Sequence, residues 1–129
     1  MAHDGQGGVV EQPVVLANLL ELTGAAVAPI EQIFDAARAA VRARVEEDGR
    51  ISGRLIEVHQ FAAHGLAWLA TYAESLRQMH GWAERLVAEG TFGEVEQLLL
   101  QIAFGEYISQ ISGGIQMNQG EMVRLTDLG

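Results

Sequence analysis

The chain of 129 residues contains no cysteine, only two prolines and few aromatic side chains, with Phe, Trp and Tyr at 6%. Without cysteine neither a disulfide framework nor a thiolate metal site can form. That fits a reducing compartment, and the cytoplasm is the expected location. Basic residues are scarce too, 8 Lys plus Arg against 17 Asp plus Glu for a net charge of −9. This balance, with the few cations scattered, argues against nucleic acid and against anionic membrane surfaces as partners. The longest part of the main apolar segment free of Asp, Glu, Lys and Arg runs from Val58 to Ala73. It is interrupted by His59, Gln60 and His64 and is too short to cross a bilayer. The opening MAHDGQGG lacks the basic end and apolar core of a secretory signal. Its glycines predict a disordered tail over residues 1–12. Internal repeats, low-complexity tracts and alternating β-patterns are missing as well.

What is present is helical. Ser52 to Gly90 carries apolar residues at helical spacing: Leu55, Val58, Ala62, Leu66, Leu69, Ala73, Leu76, Ala83 and Val87. Phe61, Trp68 and Trp82 form a second stripe beside the first. The combined arc is too wide for a two-stranded coiled coil, so this helix needs neighbours on more than one side, and the aromatic stripe is the candidate interface. Unbroken, the segment would be roughly 55 Å long, and a kink is expected. Upstream, Pro13 is placed to open a short apolar helix that ends near Thr23-Gly24. Pro29 is placed to open a second one through Ile30, Phe34, Ala37, Val41 and Val45. The acidic Glu46-Glu47-Asp48 opposes the dipole of that helix, whose end should fray, and Asp48-Gly49 is a turn signal before an N-cap at Ser52.

Downstream, Gly90 suits the left-handed residue after a helix, and Thr91 with Glu94 reads as a capping box that starts the next helix at once. Gly93 to Ser112 should therefore fold back antiparallel on the long helix, until Gly113-Gly114 stops it. The remaining IQMNQGEMVRLTDLG reads as a largely extended connector, with a turn of helix from Asn118 at most. The expected fold is all-α: an up-and-down helical bundle of three to four helices over residues 13–112 with one long central helix, followed by a connector tail at 113–129.

Residues with chemical potential are few. Of the histidines, His59 and His64 are five apart and so point about 140° away from each other on a helix, and His80 with Glu84 gives only two ligands; no metal site is expected. His64 is expected to be interior or at an interface, bonded to backbone or to a carboxylate. None of the glutamates is paired as acid and base, and no catalytic residue is assigned; Glu106, between Gly105 and Tyr107 in an apolar helix, is the one to examine first. Gly65, Gly81 and Gly105 each cost about 1 kcal/mol against alanine inside a helix, and close helix crossing is the expected reason. No Ser-His-Asp arrangement and no glycine-rich phosphate loop is present.

The stretch Ala63 to Gly129 contains AHGLAWLATY (Ala63 to Tyr72), FGE (Phe92 to Glu94), QIAFGEYISQ (Gln101 to Gln110) and GGIQMNQGEMVR (Gly113 to Arg124). Through these it resembles the N-terminal extension of methylsuccinyl-CoA dehydrogenases, members of the flavin-dependent acyl-CoA dehydrogenase superfamily. Pro29 to Gln60 fits only as generic helix. The resemblance implies an accessory, non-catalytic helical domain, similar to the superfamily's own C-terminal helical domain, that aids assembly or shapes the acyl-CoA entrance. Its implied partner is a dehydrogenase domain or subunit. FAD, the acyl-CoA substrate and the glutamate base would then belong to a part following Gly129, with no cofactor held by this segment. Where the superfamily pattern has glycine and an aromatic after its flavin-approaching glycine pair, Gln116-Met117 follow Gly113-Gly114 here. Two other readings stay open: a free-standing module that self-associates through Phe61, Trp68 and Trp82, and a ligand-binding bundle beside Gly65 and Gly105.

Overall fold

The computed structural model describes residues 13–129. The expected disordered tail at 1–12, with His3, lies outside the described residues. Three long helices carry the fold: α1 (Leu19–Val45), α3 (Gln60–Glu89) and α4 (Glu94–Gly113). Between α1 and α3 lie a two-stranded hairpin, β1 (Glu46–Glu47) and β2 (Arg50–Ile51), and a short helix α2 (Gly53–Val58). After α4 come a second hairpin, β3 (Ile115–Gln116) with β4 (Met122–Val123), and a final turn of helix α5 (Leu125–Leu128). The helix α3 is the centre: it packs on α1 along one side and on α4 along another. Leu69, Leu76 and Ala83 of α3, with Leu100 of α4, are almost completely removed from solvent. The all-α bundle around one long helix is as expected. Among the described residues, no helix is long and apolar enough to cross a membrane.

Several expectations need correction. The N-terminal half holds one 27-residue helix, not two, and it starts at Leu19 rather than at Pro13. Its buried positions Leu19, Thr23, Ile30, Ala37, Val41 and Val45 form one stripe that runs straight through Gly24 and Pro29. Burial of that stripe against α3 outweighs both punctuation marks. Gly24 is where the helices cross, since a Cβ there would meet the His80 ring at 3.0 Å. Pro29 and Ala25, whose carbonyl lacks its amide partner, are both exposed, so that carbonyl is not shut away from solvent. An interior proline costs a helix about 3 kcal/mol, while its removal returns up to about 1 kcal/mol of entropy to the unfolded chain. Pro29→Ala is therefore expected to stabilise the fold by about 2 kcal/mol, measured by urea unfolding. No gain would mean that α1 is already two helices in solution.

The end of α1 is held where fraying is expected. Arg42 Nε donates to Glu46 Oε2 at 2.6 Å, and the chain turns at once into β1. Asp48 and Gly49 both adopt positive φ, 53° and 73°, the conformation of a two-residue hairpin turn whose twist suits its strands. Ser52 caps α2 as expected, its Oγ accepting from Leu55 N at 3.4 Å. The expected kink is a break at His59, with φ −109° and ψ 27°, which separates α2 from α3.

Gly90 ends α3 at φ 72°. Its amide bonds to Val87 O and that of Thr91 to Leu86 O, a Schellman closure. The Thr91–Glu94 capping box does not form. The Thr91 hydroxyl turns back toward Leu86 O, and Gly93 is the N-cap of α4 without a side-chain bond. The turn is nevertheless as short as expected, and α4 runs back along α3.

Residues 113–129, expected as a connector, instead fold against the bundle. Ile115, Met117, Val123 and Leu128 are buried members of the main core. Gly65 receives this hairpin, because a Cβ there would lie 2.5 Å from Val123 Cγ2. At the far end, Arg44 Nη1 donates to the Asp127 carbonyl at 2.9 Å, tying α5 to α1.

Candidate functional site

The helix α4 carries apolar residues on every side, interspersed with polar ones. Leu100, Phe104 and Ile111 face the core, while Val95, Leu99 and Ile102 are 64%, 51% and 64% exposed. The spacing 95, 99, 102, 106 puts these three and Glu106 on one outward stripe. Beside them α3 contributes Met79 and Trp82, and the two helices border a groove of about 710 Å³. Its polar edge is made by Ser75, Glu106 and Tyr107.

That edge is organised by one network. The Tyr107 ring stacks on Tyr72, with centroids 4.3 Å apart and planes 8° from parallel. Tyr72 donates its hydroxyl to Gln110 Oε1 at 2.6 Å, and Gln110 Nε2 donates to Glu106 Oε1 at 2.7 Å. Burial, with smaller effects of Tyr107 and Glu106, pushes the Tyr72 hydroxyl above its ordinary range. The phenol stays neutral and remains a donor to Gln110 at any physiological pH. Glu106 is exposed and serves this network, and among the described residues that line the groove it is the one carboxylate. Glu74 is held to about 2 by hydrogen bonds from Arg77 and then Gln78, so it is a solvated anion rather than a proton donor. The groove offers apolar surface and a carboxylate rim, and its chemistry is that of contact.

The three residues of the expected interface stand in different settings along α3. Phe61 is 40% exposed near the start of α3. Trp68, one turn after His64, is half-buried, donating Nε1 to His64 Nε2 at 3.0 Å and meeting Tyr72 edge-on. Trp82 is half-buried and forms a wall of the groove. His64 is on the surface with Trp68 as its partner, not an interior residue bonded to backbone or carboxylate. His80 is half-buried, with Thr23 Oγ1 at 3.1 Å and Glu84 Oε1 at 3.5 Å. Among the described residues no three acidic or histidine side chains converge on one point. Of the three helical glycines singled out, only Gly65 marks a close crossing. Gly81 meets only the Arg85 side chain, at 3.6 Å, and Gly105 faces open space. The outward stripe of α4 went unassigned in the sequence, where it reads as part of the core; its signal is the presence of apolar residues on every side of that helix.

In class, this is a small helical bundle with an exposed apolar stripe on α4. No protein-family model matches the chain. Over 118 residues it is 55% identical to the (2S)-methylsuccinyl-CoA dehydrogenase of Cereibacter sphaeroides, a match that takes in 92% of this chain and 21% of that enzyme. The chain thus corresponds to a segment of the enzyme and spans about a fifth of its length. The similarity also reaches beyond Ala63 to Gly129, where the motifs lie, into the N-terminal half.

Proposed function

We propose that the chain serves as a non-catalytic helical domain of a flavin-dependent acyl-CoA dehydrogenase of the methylsuccinyl-CoA type, placed before the catalytic part, in the cytoplasm. Its role there is to aid assembly or to shape the acyl-CoA site. The observation that carries this reading is identity of 55% along nearly the whole chain to one segment of such an enzyme. FAD in this reading is held by the rest of the enzyme, where it accepts the hydride. At Gly114 a Cβ would lie 2.5 Å from Met122 Sδ, so the chain's own hairpin fills that side of the glycine pair, while Gly113 has nothing within 4 Å.

The test is a domain exchange in the Cereibacter enzyme, deleting the matched segment in one variant and replacing it by this chain in another. Deletion is expected to lower kcat/KM for methylsuccinyl-CoA by more than about tenfold or to change the association state, and the replacement to restore both. A deletion variant with unchanged kinetics and assembly would overturn the reading. The alternative, a free-standing module that pairs with itself, is favoured by the exposed Val95, Leu99 and Ile102. It predicts a dimer of the isolated chain by light scattering.

A further inference from the structure

We infer that the outward face of α4, centred on Val95, Leu99 and Ile102 and walled by Trp82, is the surface on which the remainder of the dehydrogenase polypeptide packs. The inference rests on the function proposed above and adds to it where the contact is made.

A helix with apolar residues on every side needs neighbours on more than one, and α4, though it packs on α3, α1 and β3, leaves Val95, Leu99 and Ile102 more than half exposed. Three large aliphatic side chains in one stripe stand more than half in water, and covering them would remove that apolar area from it. The occupant follows from three observations. About four-fifths of the matched enzyme lies outside the matched segment, so chain able to cover this face belongs to the same polypeptide in that relative. Of residues 113–129, Ile115, Met117, Val123 and Leu128 are already committed to the core, Val123 against Gly65, and none lines the groove. Charge then disfavours a second copy. The groove is lined by one charged group, the Glu106 carboxylate, on a chain of net charge −9. A symmetric pair would set carboxylate near carboxylate, whereas a partner with an apolar centre and a flanking Arg or Lys complements the face. The Phe61 end of α3 is less suited. Phe61 is a single exposed ring, and its neighbour Trp68 is engaged by His64.

The absence of cysteine from this chain makes the test direct. Ile102→Cys and, as a control, Phe61→Cys are prepared in the isolated chain and in the full-length Cereibacter enzyme carrying this chain in place of its own segment. Thiol labelling at each position is followed by peptide mass spectrometry. Position 102 is expected to label at least about tenfold more slowly in the full-length enzyme than in the isolated chain, and position 61 at similar rates in both. Equal rates at 102 in the two contexts would overturn the inference even if the replaced enzyme oxidises methylsuccinyl-CoA normally. Labelling at 102 that slows in the isolated chain as its concentration rises would assign the face to a second copy and overturn it as well. Failure of the function proposed above is read separately, from the activity and assembly of the deletion variant.

Discussion

Leu69→Ala is expected to destabilise the chain by about 4 kcal/mol, a large part of what a domain of this size possesses. Leu69 is fully buried in the middle of α3, the helix shared by the contacts to both α1 and α4. Truncation removes the transfer free energy of three carbons and leaves a cavity that two rigid neighbours cannot both close. Urea unfolding at 25 °C checks it through a lowered midpoint at unchanged slope. Val58→Ala is the matched control. Val58 is 65% exposed, and the change should stay within about 0.5 kcal/mol beyond its helix preference. A cost below about 1 kcal/mol at Leu69 would contradict the central position of α3.

Gly65→Leu is expected to cost about 3 kcal/mol, even though glycine is by itself a poor helix residue. A Cβ at this position would lie 2.5 Å from Val123 Cγ2 and 3.1 Å from Val123 Cβ, so the obstacle is a short branched side chain close to its own backbone. Val123 is 2% exposed and has little room to move. The larger side chain must either distort α3 or lift the β3–β4 hairpin from the core. Val123→Ala in the same chain should recover part of the loss, and the double-mutant cycle measures the contact itself. Additive effects would show that the hairpin does not dock on Gly65 in solution.

These two sites also show where the sequence was legible. The long helix and its antiparallel partner were readable because their apolar spacing is sustained and because Gly90 at positive φ is what a helix followed by a tight return requires. The unity of α1 was not. Gly24 and Pro29 are local breakers, and only the burial stripe shared with α3 outweighs them. The terminal hairpin escaped notice because strands of two residues carry no periodicity. The buried partner of Ile115 and Val123 is a surface over fifty residues away.

Legibility of the candidate site failed in a different way. Aromatic residues drew attention to Phe61, Trp68 and Trp82, yet two of these rest partly against the core. The stripe that stands in water is aliphatic. In a helix with apolar residues on every side, inner and outer positions look the same until a neighbour occupies one of them. Glu106 was singled out for its apolar setting, and the structure gives it a different task, holding the amide of Gln110 in place beside the groove.

The bond from Arg44 to the Asp127 carbonyl spans 83 residues. Closing a flexible loop of that length costs about 4 kcal/mol by the logarithmic rule, whereas α3 and α4 meet across a turn of a few residues. On loop entropy alone, the α3–α4 pair is expected to form before the Arg44–Asp127 tie closes, an order that pulsed hydrogen exchange would read. A tie that closes late is also expected to open early, so this end of the molecule acts as a latch, and Gly65→Leu is a chain whose latch no longer shuts.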